Sequence, residues 1–312
     1  MEGFNMFSFN KLTRETTVSG LTHVRSDQLS YFIGNINENT ERLDMGWNSL
    51  GNRPTGDSEV MFKKLNDKIK FVILRGNSLG KKSGAETSPV YSSFKYATYL
   101  ELTFNDLYLQ KDLAIGLKGL ASTPITSLAL DSNNLGYGGD DQLIDAVAVL
   151  KGLISLNISY NKLDMKSVEA LQAMCSAVPS NLEHLDISNN NLGNKIKAIK
   201  KLPQNILSLN ISDNAIDQLS VEEINELKDS LTHLQTLYIS DDEFKKMTPK
   251  QTKALKPILA AINKVIFLNS AGKEVTPEQS SLSTNLAAFF VQSNDKKEQS
   301  IAKYIIPSGL RI

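Results

Sequence analysis

Three histidines and one cysteine are the residues of this chain best suited to acid–base or nucleophilic chemistry. His184 stands two residues before Asp186, and a carboxylate so placed could orient the imidazole as a general base. Ser155, Ser159, Ser188, Ser208 and Ser212 recur around it, so a hydrolase built on His184 and Asp186 is one reading of function. Geometry and not residue type defines such a triad, though, and no strained strand-to-helix elbow marks any of these serines. Cys175 falls on an apolar stripe with Val168, Leu171 and Val178, at spacings of three and four, which reads as helix core. A lone cysteine also rules out an intramolecular disulfide and a cysteine-based zinc site. Neither a catalytic residue nor a cofactor or metal is therefore expected.

Charge narrows the classes further. The 34 basic and 34 acidic residues cancel, leaving no global field to draw in nucleic acid or an anionic membrane. Lys195, Lys197, Lys200 and Lys201 form a local basic run that reads as one solvated helix face. No window approaches the roughly 18 uninterrupted apolar residues of a membrane span. The start, MEGFNMFSFNKL, lacks a basic region followed by a long apolar run, so no Sec-type signal is expected. The two NIS triplets, at Asn157 and Asn210, are then coincidental sequons. Low cysteine content fits a reducing, cytoplasmic compartment.

What must position these side chains is a repeat. LISLNISYNKL (153–163) returns as ITSLALDSNNL (125–135), LEHLDISNNNL (182–192) and ILSLNISDNAI (206–216), and more loosely from residue 40 onward. Its asparagine falls at Asn48, Asn77, Asn105, Asn133, Asn161, Asn190 and Asn214, then becomes Asp242 and Ser270. The intervals are 29, 28, 28, 28, 29, 24, 28 and 28 residues. SVEE at Ser220, TPKQ at Thr248 and TPEQ at Thr276 keep the same beat, each with the form of a capping box that opens a helix. Each repeat thus reads as a short strand, an asparagine turn and a helix. Alternation sends Leu156 and Ile158 inward while Ser155, Asn157 and Ser159 face out. One unit cannot bury its apolar face alone; about nine stacked units bury a continuous core.

The pattern L-x-x-L-x-L-x-x-N-x-L over residues 40 to about 280 resembles the leucine-rich repeat family, and the period near 28 resembles its ribonuclease-inhibitor class. That resemblance implies an α/β solenoid, a horseshoe with a parallel sheet on its concave face and helices outside. It also implies a non-enzymatic, protein-binding module, monomeric when free, that covers a partner protein with the concave face and blocks or modulates it. Two departures stand out: the eukaryotic inhibitors are rich in cysteine, and the coil after Asn190 has only 24 residues, so its helix KIKAIKK must be short.

In such a scaffold any message lies in the side chains that repetition leaves free. On the outward positions the early repeats carry Arg42, Asp44 and Trp47, then Phe71, Ile73 and Arg75, then Tyr99, Glu101 and Phe104. The middle repeats carry mostly Ser, Asn and Asp, with Tyr160 and His184 as larger exceptions, and Tyr238 follows near the end. Trp, Tyr and Arg are the types enriched at interface hot spots, so these residues form the expected partner surface. The competing reading folds residues 1–39 over this face, or turns Trp47 and Phe104 into the core at the strand-to-loop bend.

The ends read as caps. Residues 1–39 show no repeat, but Leu29, Phe32, Ile33 and Ile36 space as one helical face after Ser26, predicting an N-terminal helical cap. Residues 40–275 hold the repeats, and 276–312 a capping helix followed by a tail. The tail VQSNDKKEQSIAKYIIPSGLRI is similar to the C-terminal signals of type IV effectors. With the cysteine-poor repeats, this resemblance implies a Legionella-like bacterial effector secreted into a host cytosol.

Overall fold

A computed structural model describes residues 6–275. Strands β1 (Phe7–Asn10), β2 (Glu15–Val18), β3 (Arg42–Asp44), β4 (Phe71–Ile73), β5 (Tyr99–Glu101), β6 (Ser127–Ala129), β7 (Ser155–Asn157), β8 (His184–Asp186), β9 (Ser208–Asn210), β10 (Thr236–Ser240) and β11 (Lys264–Leu268) form one sheet in chain order. β1 and β2 pair antiparallel, and every later neighbour pairs parallel. Register is uniform, so Leu43, Val72, Leu100, Leu128, Leu156, Leu185, Leu209 and Leu237 make a single buried row. A one-residue slip would expose that entire row, which is why three-residue strands suffice to fix register.

The repeated asparagine closes each turn. Asn161 Nδ2 donates to the carbonyls of Leu130 and Ser159, both at 3.0 Å, while its Oδ1 accepts from the N–H of Asn133 (2.9 Å) and Leu135 (3.2 Å). The same pattern links Asn48, Asn77, Asn105, Asn133, Asn190 and Asn214 into a buried ladder. The amide supplies donors and acceptors together where strand ends have lost theirs. No other side chain of that size does so.

Past Asn214 the sequence expectation needs correction. Asp242 does not continue the ladder: Ser240 caps a short helix, Asp241–Lys246, by accepting from the N–H of Glu243. The Glu243 carboxylate then reaches back to accept from the N–H of Ala215. Ser270 is exposed, and Asn269 closes the following turn instead, accepting from Ala271 and Lys273.

A second ladder binds the coils on the helical side, and it has no single residue type. Arg53 donates to the carbonyls of Leu21 and Val24, Lys82 to Arg53, Gln142 to Gln110, Lys166 to Gly138, Lys195 to Lys166, and Gln251 to Leu219. Each satisfies carbonyls left open at the end of the preceding coil's turn. Lys195 is therefore structural, and Lys200 pairs with Glu226 at 2.7 Å, so the lysine run is partly consumed within the solenoid.

Capping boxes form at Ser83–Glu86, Ser220–Glu223 and Thr248–Gln251. The box expected at Thr276, the C-terminal helix and the tail lie outside the described residues. The 24-residue coil is bridged by a 3-10 helix, Gly193–Lys201, burying Ile196, Ala198 and Ile199. Its greater rise per residue lets a shorter segment span the coil. Ahead of the repeats, helix Ser26–Gly34 buries Leu29 and Ile33, but residues 7–18 are a β-hairpin and not helix. That hairpin extends the sheet: Thr16 Oγ1 meets Thr40 Oγ1 at 2.5 Å, and Asn48 Oδ1 accepts from the N–H of Leu21.

Candidate protein-interaction surface

On the concave face three columns of side chains run across the strands. At the strand starts Glu15, Arg42, Phe71, Tyr99, Ser127, Ser155, His184 and Ser208 lie in register. Beside them run Thr17, Asp44, Ile73, Glu101, Ala129, Asn157, Asp186, Asn210 and Tyr238. Arg75, Thr103, Asp131, Ser159, Ser188 and Ser212 follow at the next outward position of successive coils.

The first coils hold a connected cluster. Arg75 pairs with Asp44 and lies 3.8 Å from Glu101, joining the two carboxylates that flank Ile73 in the sheet. Ile73 is 0% exposed. The Tyr99 hydroxyl donates to Glu101 at 3.3 Å, and its ring lies 5.8 Å from that of Phe71. Arg42 pairs with Glu15 at 3.0 Å, and its guanidinium sits 5.9 Å above the Phe71 ring. Burial pushes the Glu101 carboxyl up despite Arg75 and Arg42, and raises the Tyr99 phenol far above its ordinary value.

Exposure divides the expected surface in a way the sequence does not show. Asp44, Ile73, Tyr99 and Tyr238 are buried, and Arg42, Arg75 and Glu101 are half-buried in their network. Trp47, Phe104, Phe71 and Tyr160 are 59, 53, 41 and 37% exposed. So Trp47 and Phe104 do not turn into the core, and the described part of residues 1–39 leaves them open. Trp47, Phe104 and Tyr160 each immediately precede a ladder asparagine and have φ of +59°, +56° and +53°. Other coils place Gly76, Ser132, Asn189 or Asp213 there, and φ is positive in all of them. Left-handed backbone suits Gly, Asn and Asp and is unfavourable for bulky L-residues. The Trp47 ring lies across Gly76, where an added Cβ would come within 2.2 Å of it, and its centroid is 6.2 Å from that of Phe104.

Sequence reasoning missed two features. Leu109, Tyr137 and Met165 stand at the same position of successive 3-10 turns and are all exposed. Tyr137 packs edge-on to Tyr108 at 6.1 Å, with Lys162 Nζ 4.8 Å above its ring. Their 28-residue spacing was the available signal. The other is Asp131, an acid in a column where later coils carry serine.

Around His184 the geometry is that of a polar floor. Asp186 accepts from the N–H of Ser188 and from Asn210 Nδ2, each at 2.9 Å, and burial raises its carboxyl. Burial also lowers the His184 imidazole. Ser155, Ser159, Ser188, Ser208 and Ser212 are buried, and Ser212 Oγ donates to Asn210. Cys175 lies in the core with its thiol pushed up to about 12 by burial, far from the thiolate a nucleophile needs.

The family model described as "Leucine Rich Repeat" matches residues 181–202, the coil that contains β8 and Asn190. The crystal structure of the leucine-rich repeat-containing protein LegL7 from Legionella pneumophila superposes with a TM-score of 0.74 at 27% identity, covering 91% of each chain. The chain has the leucine-rich repeat solenoid fold. Leucine-rich repeat solenoids serve protein–protein interaction, presenting an extended surface built from many coils. No curated protein sequence matches this leucine-rich repeat chain. Among its described residues no helix is long and apolar enough to cross a membrane.

Proposed function

We propose that this leucine-rich repeat protein binds a protein partner on its concave side, chiefly through the aromatic rim at the strand ends, and so blocks or modulates that partner. Trp47, Phe104 and Tyr160 supply the anchors, with Phe71 beside Arg42 on the adjoining floor. Asp44, Ile73, Arg75, Tyr99 and Glu101 hold that floor rigid, and His184 and Tyr238 mark its far reach. The observation that carries the reading is the coincidence of exposure with unfavourable backbone. Three aromatics are kept at positive φ, where the same fold elsewhere uses Gly, Ser, Asn or Asp. Strain retained at an exposed position points to function, and rigid aromatics are the side chains that dominate interface energetics.

The likeness to a Legionella pneumophila protein supports the companion proposal that the chain acts as a type IV effector on a host protein. Capture from host-cell lysate tests the binding surface. The Trp47→Asn/Phe104→Asn variant is expected to lose the partner recovered by the unaltered chain, and undiminished recovery would remove the rim from the interface.

A further inference from the structure

Between Phe104 and Tyr160 the rim has a gap. Ser132 occupies the intervening coil, and the backbone ladder runs unbroken through these positions: Phe104 N–H donates to Asp131, Ser132 to Ser159 and Tyr160 to Ser188. At about 4.8 Å per strand, the two aromatic residues stand roughly 10 Å apart across the serine. On its other side Phe104 is backed by the Trp47 ring.

The floor of this notch is Asp131. Its Oδ1 accepts from Thr103 Oγ1 at 2.9 Å and Asn157 Nδ2 at 3.3 Å, both neutral donors. No ion pair among the described residues includes Asp131, in contrast with Asp44 and Glu101, which share Arg75. Burial, with Glu101 and Asp186 nearby, pushes its carboxyl up to about 6 against the Thr103 hydrogen bond, the direction expected of a buried acid with no cation beside it. Next to it Ser159, on the same outward alternation, is 0% exposed and its hydroxyl has no hydrogen-bond partner. A carboxylate, an unspent hydroxyl and two aromatic faces are the complement of one chemical group. Guanidinium is planar, weakly hydrated and stacks on aromatic rings while bonding a carboxylate.

We propose that the notch over Ser132 receives an arginine side chain of the protein partner, its charge on Asp131 and its plane between Phe104 and Tyr160. The proposal rests on the reading of the rim as the partner surface, and it names the chemistry of the residue read there.

Titration of the full-length, isotope-labelled chain with N-acetyl-arginine amide, followed by amide NMR, tests it without the partner. Saturable shifts are expected at Phe104, Ser132 and Tyr160. N-acetyl-citrulline amide, the uncharged isostere, should bind at least about ten-fold more weakly, and so should arginine amide to Asp131→Asn. Asp131→Asn keeps an acceptor for Thr103, so the fold survives, and Tyr160→Asn provides a second variant expected to weaken the same shifts. Equal response to the two amides, an unaltered response in Asp131→Asn, or no shift at these residues overturns the assignment. So does concentration-dependent broadening of these signals without ligand, which would place a second copy of the chain in the notch. Partner capture separates the two readings: loss with Trp47→Asn/Phe104→Asn but full retention with Asp131→Asn leaves the rim standing and removes the arginine site.

Discussion

Tyr160 and Asn161 are neighbours in the chain and opposites in the fold. Asn161 is fully buried, makes two donor and two acceptor bonds, three of them to the preceding coil and one within its own turn, and has counterparts in six other coils. Tyr160 is exposed, sits at φ +53°, and is replaced by six other residue types at the corresponding position. The difference teaches where each coil keeps its structure and where it is free to carry specificity: one residue closes the turn, and the residue before it faces out.

The sharpest way to break the inner half of the comparison is Asn161→Asp. The carboxylate keeps the acceptor role but turns an oxygen towards the carbonyls of Leu130 and Ser159, which the amide had satisfied. A buried, uncompensated charge of this kind destabilises by about 3–5 kcal/mol, against about 1–3 kcal/mol for Asn161→Ala. Denaturant unfolding at neutral pH should rank the aspartate below the alanine. The reverse order would mean that acceptors, and not donors, hold the turn.

Glu243 makes the same point from the ladder's end, where a carboxylate does take over. Burial raises its carboxyl to about 7, while the N–H of Ala215 pulls the other way. The folded chain therefore keeps a proton that the unfolded chain, with an ordinary carboxyl near 4.5, has already released. Stability from this group is undiminished below pH 4.5, falls as pH rises towards 7, and remains lower above it, by up to roughly 3 kcal/mol. Glu243→Gln retains an acceptor for Ala215 without the charge. It is expected to flatten that slope and to raise the unfolding midpoint at pH 8, with little change at pH 4.

Gly76 tests the outer half. A Cβ at φ +65° would be strained and would strike the Trp47 ring, so Gly76→Ala should destabilise by about 1–2 kcal/mol and displace the ring. Tryptophan fluorescence reports on Trp47 alone, since the chain has one tryptophan. A shifted emission maximum in the folded variant is expected, and an unchanged one would detach Trp47 from Gly76.

How far the sequence discloses this molecule follows the same division. The strands, the asparagine ladder and the helix caps at Ser220 and Thr248 are legible because each depends on one residue type at one spacing. The second ladder is not, since Arg53, Lys82, Gln142, Lys166, Lys195 and Gln251 reach similar carbonyls from unlike side chains. Nor can outward alternation tell floor from rim. Ile73 points outward like Phe71, yet it is sealed because Asp44, Arg75 and Glu101, from three different coils, close around it. Trp47 and Phe104 are legible as aromatics but not as exposed ones, because the left-handed turn that throws them outward belongs to the stacked coils.

The smallest expected effect on the fold is the most informative about function. Tyr160→Asn replaces a bulky residue at positive φ with one that accepts it, as Asn189 does in the next coil. If the tyrosine is retained for binding, its removal should stabilise the free protein by about 0.5–1 kcal/mol while weakening partner capture. A purely structural tyrosine would give the opposite sign, since its ring would lose packing and nothing would be gained at the backbone. Melting temperature and capture measured on the same variant therefore separate the two roles, and a variant both less stable and equally competent would return Tyr160 to the scaffold.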